Sequence, residues 1–119
     1  MTSGRTYEDY LHDILDHAQK AQRFIASVEF DAFCANEEKT LAVIRTLEII
    51  GEAARHVPES VRQCYPEVPW RNIVGMRDVL IHHYFGVDLE VVWKTVQRDL
   101  PTLRVAVGRM LADLEAAKE

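Results

Sequence analysis

Apolar residues recur at steps of three and four along nearly the whole chain, the spacing of helices that bury one face. The first stripe runs Tyr7, Tyr10, Leu11, Ile14, Leu15, Ala18, Ala21, Ile25 and Val28, and it predicts one long amphipathic helix. Residues 30–38 read as a connector in which Asp31 and Asn36 are candidate caps. Leu41, Ile44, Leu47, Ile50 or Gly51, and Ala54 mark a second helix, stopped at Val57-Pro58 because proline cannot continue it. Residues 59–65 predict a short helix closed by Pro66 and Pro69. The next helix starts near Pro69, a good first-turn residue, and ends by Phe85-Gly86. Asp88 then caps a helix carrying Leu89, Val92, Trp93 and Val96. Pro101 marks a helix start or a kink after Asp99, and Leu103, Val107, Leu111 and Leu114 continue to the end. No strand is predicted. Helices joined by short loops imply an all-α fold, an antiparallel four- to five-helix up-and-down bundle, in one domain over residues 1–119.

One stripe is broken by a charge. Trp70, Ile73, Val74, Arg77, Leu80, Ile81 and Tyr84 share a helix face, so Arg77 stands where an apolar residue is expected. A guanidinium keeps its charge, and burying it unpaired is costly, so it needs an anion or hydrogen-bond acceptor. A structural partner is at hand on the second helix, Glu48 or Glu52.

Arg77, His82 and Tyr84 follow one another as Arg, four residues, His, one residue, Tyr. This spacing resembles the RX4HXY signature of the HepT-like ribonuclease toxins, a branch of the HEPN superfamily of small helical RNases. Other blocks are similar to the family in the same order: Leu47-Glu48-Ile49-Ile50-Gly51-Glu52-Ala53-Ala54, then Tyr65-Pro66-Glu67-Val68-Pro69-Trp70. Phe85-Gly86-Val87-Asp88, Trp93 and Asp99-Leu100-Pro101 follow, so the resemblance covers residues 41–111. It implies a HEPN-like bundle that acts as a homodimer with a composite site at the interface. It also implies an endoribonuclease toxin of a toxin–antitoxin pair, with tRNA or mRNA as substrate. The implied antitoxin is a nucleotidyltransferase of the MNT type, able to attach AMP to the motif tyrosine, here Tyr84.

Such a ribonuclease needs no metal or other cofactor, but it needs three groups. A base takes the proton of the ribose 2′-hydroxyl, a cation stabilises the crowded phosphate, and an acid protonates the departing 5′-oxygen. Histidine suits either proton role because its ordinary pKa lies near neutrality. His82 and Arg77 are therefore the candidate catalytic residues, with Arg77 forking onto the phosphate. Tyr84 is a candidate for hydrogen-bonding a phosphate or stacking on a base, and for modification. Asp78 and Glu52 are candidate supporting residues. On a regular helix Arg77 and Tyr84 align, whereas His82 stands about 140° from Arg77. Either the helix end unwinds near His82, or a second copy of the chain completes the site. His83 reads as solvent-exposed.

Bulk properties narrow the alternatives. The chain has 119 residues, 48% of them hydrophobic and 28% charged, as in an ordinary globular protein. No run approaches the length of a membrane span, residues 1–7 lack the apolar segment of a secretion signal, and a cytoplasmic location is expected. Cys34 and Cys64 lie far apart and read as reduced thiols. A net charge of −5 counts against a general nucleic-acid binder. Residues 1–50 hold nine acids and five bases whereas residues 51–80 hold four of each, so the acidic excess is mostly remote from the motif. That charge keeps a second reading open, a non-catalytic helical nucleotide-binding or docking subunit of a nucleotidyltransferase complex. Glu52 with His56, Asp13 with His17, and His12 with Asp16 have spacings compatible with metal binding, but each pair is read as a helix-surface ion pair.

Overall fold

The computed structural model describes residues 4–82 and 86–118, and of residues 77–79, 81 and 82 the helical backbone alone. The elements are α1 (Tyr7–Phe24), α2 (Phe30–Ala35), α3 (Glu37–Arg55), α4 (Glu59–Arg62), α5 (Trp70–His82), α6 (Leu89–Lys94), a π-helical turn (Thr95–Asp99) and α7 (Leu100–Ala117). The described residues form no strand, and the fold is all-α. Four long rods make the bundle: α1, α3, α5, and the continuous run from α6 through α7. No helix of the described residues is long and apolar enough to cross a membrane.

α1 packs against α3 and α7, and α3 packs against α5 on its other side. Polar ties set the antiparallel directions. Lys39 Nζ at the start of α3 donates to Phe24 O at the end of α1 at 3.0 Å. Arg104 near the start of α7 donates to Gln22 near the end of α1 at 2.7 Å, while Lys118 reaches back to Glu8 at 3.0 Å. The buried rows keep helical period: Leu11, Ile14, Ala18 and Ala21 on α1, and Leu100, Leu103, Val107 and Met110 on α7. They enclose one core cluster with Phe33, Val43, Leu47, Ile50, Ile73 and Val96.

Helix ends follow local chemistry. Thr6 and Asp9 form a reciprocal capping box at α1, Asn36 accepts from Lys39 N at 3.0 Å, and Asp88 accepts from Glu90 N and Val91 N. Asp31 caps nothing: it lies in the first turn of α2, whose N-cap is Glu29.

Four expectations need correction. The first stripe continues to Val28, yet α1 ends at Phe24 and the chain turns through Ser27 in the left-handed region, with φ of 64°. Ile25 is buried from that turn rather than from a helix. The connector at residues 30–38 contains a short helix, α2, because Phe33 packs against Trp93 with ring centroids 5.3 Å apart. Leu41 is 59% exposed, and the α3 stripe begins at Thr40, whose hydroxyl is satisfied by Glu37 O at 2.9 Å. The short helix ends at Arg62 rather than Tyr65. Pro101 stands at a helix start as expected, in the first turn of α7, and the run from α6 passes into α7 without a break. A π turn precedes it, with Leu100 N bonded to Thr95 O, which accommodates a ring that cannot donate.

Candidate active site

α5 is held at its start by a clasp between the α4–α5 loop and α7. Trp70 Nε1 donates to Tyr65 O at 3.1 Å, and the Tyr65 hydroxyl donates to the Asp113 carboxylate. Arg109 lies over the Tyr65 ring at 5.4 Å and pairs with Glu67 at 2.6 Å. The hydrogen bond to Asp113 pushes the Tyr65 pKa up to about 12, with burial adding to it.

From this anchored start α5 runs without interruption through His82. Trp70, Ile73 and Leu80 form its buried row, and position 77 falls on that row, four residues after Ile73 and three before Leu80. The backbone does not unwind at position 82, so positions 77 and 82 stay about 140° apart around the axis. Position 78 lies on the same side as position 82. The side chains of Arg77, Asp78 and His82 lie outside the described residues, and so do His83, Tyr84 and Phe85 as a whole.

The carboxylates considered for Arg77 stand on α3, the helix against which α5 packs. Glu48 lies 3.4 Å from Arg45, with its side chain 22% exposed. Glu52 contacts Arg55 at 3.5 Å and His56 Nε2 at 3.6 Å. The His56 ring stacks on Tyr10, with centroids 4.2 Å apart and planes 8° from parallel. The Glu52–His56 pair is therefore an ion-pair contact, as expected.

The two pairs on α1 differ from expectation. The Asp13 carboxylate is taken by Arg5 at 2.7 Å, and His17 Nδ1 sits 2.8 Å from the Asp13 backbone carbonyl. Asp16 pairs with Lys20 at 3.0 Å and lies 3.8 Å from His17, and no His12–Asp16 ion pair exists among the described residues. Lys20 draws the Asp16 pKa below its ordinary value. Among the described residues no three His, Cys, Asp or Glu side chains gather as a metal cluster would. Cys34 and Cys64 are free thiols and exposed.

Two grooves flank α5. One, of about 700 Å³, is lined by Glu59, Arg62, Gln63, Trp70, Arg71, Asn72 and Gly75 among others. The other, of about 520 Å³, lies between α5 and the α6–π run, with Met76, Leu80, Val91 and Val92 on its walls and Asp88 and Asp99 toward its ends. Arg71 and the Tyr65–Asp113 clasp were not evident from the apolar pattern, since an exposed arginine and a contact between residues 48 apart leave no periodic trace. The position of Arg71, eleven residues before His82, carries the one available signal.

A family model described as Ribonuclease HepT-like matches residues 14–110. A Thermococcus cleftensis protein named "Probable ribonuclease HepT" is 45% identical over 84% of this chain and 91% of its own length. Methanocaldococcus jannaschii has "Putative RNase MJ1216", 36% identical over 97% of this chain and 95% of its own. The same organism has "Putative RNase MJ1380", 41% identical over 88% and 96% respectively. No solved structure matches the chain.

Proposed function

Because this chain belongs to the Ribonuclease HepT-like family, we propose that it is a metal-independent endoribonuclease whose catalytic groups are Arg77 and His82. The observation that carries the reading is the family match across residues 14–110, a span that contains the whole Arg77–His82–Tyr84 motif. In this mechanism one histidine takes the proton of a ribose 2′-hydroxyl, and the freed oxygen attacks the adjacent phosphorus. Arg77 holds the phosphate through its fork as charge builds on the equatorial oxygens. The bond to the 5′-oxygen breaks, a second acid supplies that oxygen with a proton, and a 2′,3′-cyclic phosphate remains. Asp78 and Glu52 orient these groups.

One motif histidine per chain leaves one proton role open, and an uninterrupted α5 keeps positions 77 and 82 on different faces. Both facts favour a homodimer in which two copies of α5 line one cleft. In the cell the protein acts as a cytoplasmic toxin, its target a tRNA or an mRNA. An MNT-type nucleotidyltransferase antitoxin neutralises it by transferring AMP to the Tyr84 oxygen. The added phosphate places negative charge near Arg77 and competes with RNA.

The test is cleavage of tRNA and mRNA by the wild type in EDTA, beside His82→Ala. Cleavage by the wild type alone, leaving 2′,3′-cyclic ends, is expected. A dimer of verified sequence mass that cuts neither RNA would overturn the enzyme in favour of the docking-subunit reading.

A further inference from the structure

The ribonuclease reading leaves open how RNA approaches the cleavage site, and the two grooves beside α5 answer that question differently. The α6 side is mainly apolar along its walls, with Asn72, which it shares with the α4 side, and Thr95 as neutral polar groups, and Asp88 and Asp99 stand toward its ends. Neither aspartate makes an ion pair among the described residues, although Asp88 caps α6. Among the described residues, a phosphate chain laid there would gain no cation and would meet two carboxylates without an ion pair.

The α4 side is the opposite. Arg62 is held in place: its Nε donates to Val57 O at 3.0 Å, and its Nη2 lies 3.3 Å from Glu59. Those two charges offset one another. Arg71 is exposed on the same groove, and its side chain has no hydrogen bond or ion pair among the described residues. Among the described residues it is the uncompensated charge of this groove, and Gln63 and Asn72 add neutral hydrogen-bonding groups beside it.

The helical register connects this groove to the motif. Arg71, Gly75, position 78 and position 82 follow at steps of four, three and four, which is one row along α5. The row is about 16 Å long at the helical rise. Gly75 interrupts it without a side chain, and a Cβ placed there would meet nothing within 4 Å. A polymer lying on this face thus has an open stretch at Gly75, between Arg71 and position 78.

We propose that the Arg71–Gly75 row of α5, with the α4 groove beside it, is the track for single-stranded RNA flanking the scissile bond, and that Arg71 binds one of its backbone phosphates. The proposal rests on the ribonuclease reading and deepens it. RNA comes along the α4 side of the motif helix and is kept from the α6 side by Asp88 and Asp99.

The test uses the full-length His82→Ala protein, which holds RNA without cutting it, and a labelled mixed-sequence single-stranded RNA oligonucleotide. Arg71→Glu should weaken binding about tenfold and reduce the salt dependence of affinity by roughly one phosphate contact. Gly75→Leu replaces a poor helix former with a good one in open space, so thermal stability should hold or rise while RNA binding falls. That opposite movement separates an obstructed track from a damaged fold. Val91→Glu, on the α6 side, should leave affinity unchanged. If the parent binds RNA and neither Arg71→Glu nor Gly75→Leu alters it, or if Val91→Glu is the variant that weakens binding, the track is overturned and the ribonuclease reading stands. A parent that neither binds RNA nor, as wild type, cleaves it overturns both.

Discussion

Trp70, the first residue of α5, donates its indole N–H to the backbone carbonyl of Tyr65 at 3.1 Å. Because the Tyr65 hydroxyl in turn donates to Asp113, the start of the motif helix is tied to α7 through a single loop residue. Tyr65→Phe removes the hydroxyl and keeps the ring under Arg109, so it should cost about 1 kcal/mol of stability. The pH dependence has a definite sign. The Tyr65 pKa is raised in the folded protein, to about 12 from an ordinary 10.0, so its contribution is complete below pH 10 and is lost as pH rises toward 12. Urea unfolding across pH 9–12 should show a steeper loss for the wild type than for Tyr65→Phe. Parallel curves would mean that the hydrogen bond contributes nothing.

Asp88 is the other fixed point near the motif, because its carboxylate accepts from Glu90 N and Val91 N where α6 begins. Asp88→Ala leaves these first-turn amides without an acceptor and should cost about 1 kcal/mol. Hydrogen exchange at Glu90 and Val91 should speed up while exchange in α1 and α3 changes little. Unaltered protection at those two amides would show that solvent replaces the cap at no cost.

The long helices and two of the caps were legible because each leaves a local trace: a three-four period, or a short polar side chain just before it. Asn36 and Asp88 behave as their positions imply. The end of α1 was hidden because Ile25 and Val28 stay in phase with the stripe beyond the last helical turn, and only Ser27 reverses the chain. α2 depends on Phe33 meeting Trp93, a contact between residues 60 apart that no window along the chain contains. The π turn before Pro101 is a geometric answer to a missing donor, and a proline alone does not distinguish it from a break. At the candidate site the motif spacing was readable and places positions 77 and 82 on one helix. Arg71 was not, since what sets it apart is a side chain with no hydrogen bond or ion pair among the described residues.

If the antitoxin acts by modifying Tyr84, co-expression with it should raise the mass of the wild type by ~330 Da, one AMP. Tyr84→Phe should gain no mass and remain toxic in the presence of the antitoxin. Neutralisation of Tyr84→Phe, with cells growing normally and no added mass, would show that plain binding is enough.

The composite site can be tested without seeing the interface. On an uninterrupted α5 the positions of Arg77 and His82 diverge by about 140°, so a site using both draws most readily on two chains. Arg77→Ala and His82→Ala should each lower cleavage by about 10²–10⁴-fold as homodimers, the usual worth of a group acting on a transferring proton or developing charge. Co-expressed with different tags and purified through both, a mixed dimer of the wild type with an Arg77→Ala/His82→Ala chain holds one fully intact chain. A cleft that takes its base and its acid from the two His82 side chains should be as impaired in that dimer as in the homodimeric variants. A site built within one chain keeps one intact copy there, so a mixed dimer with about half of the wild-type rate would rule out the shared cleft. A wild type that cleaves RNA while monomeric by light scattering would do the same from the other direction.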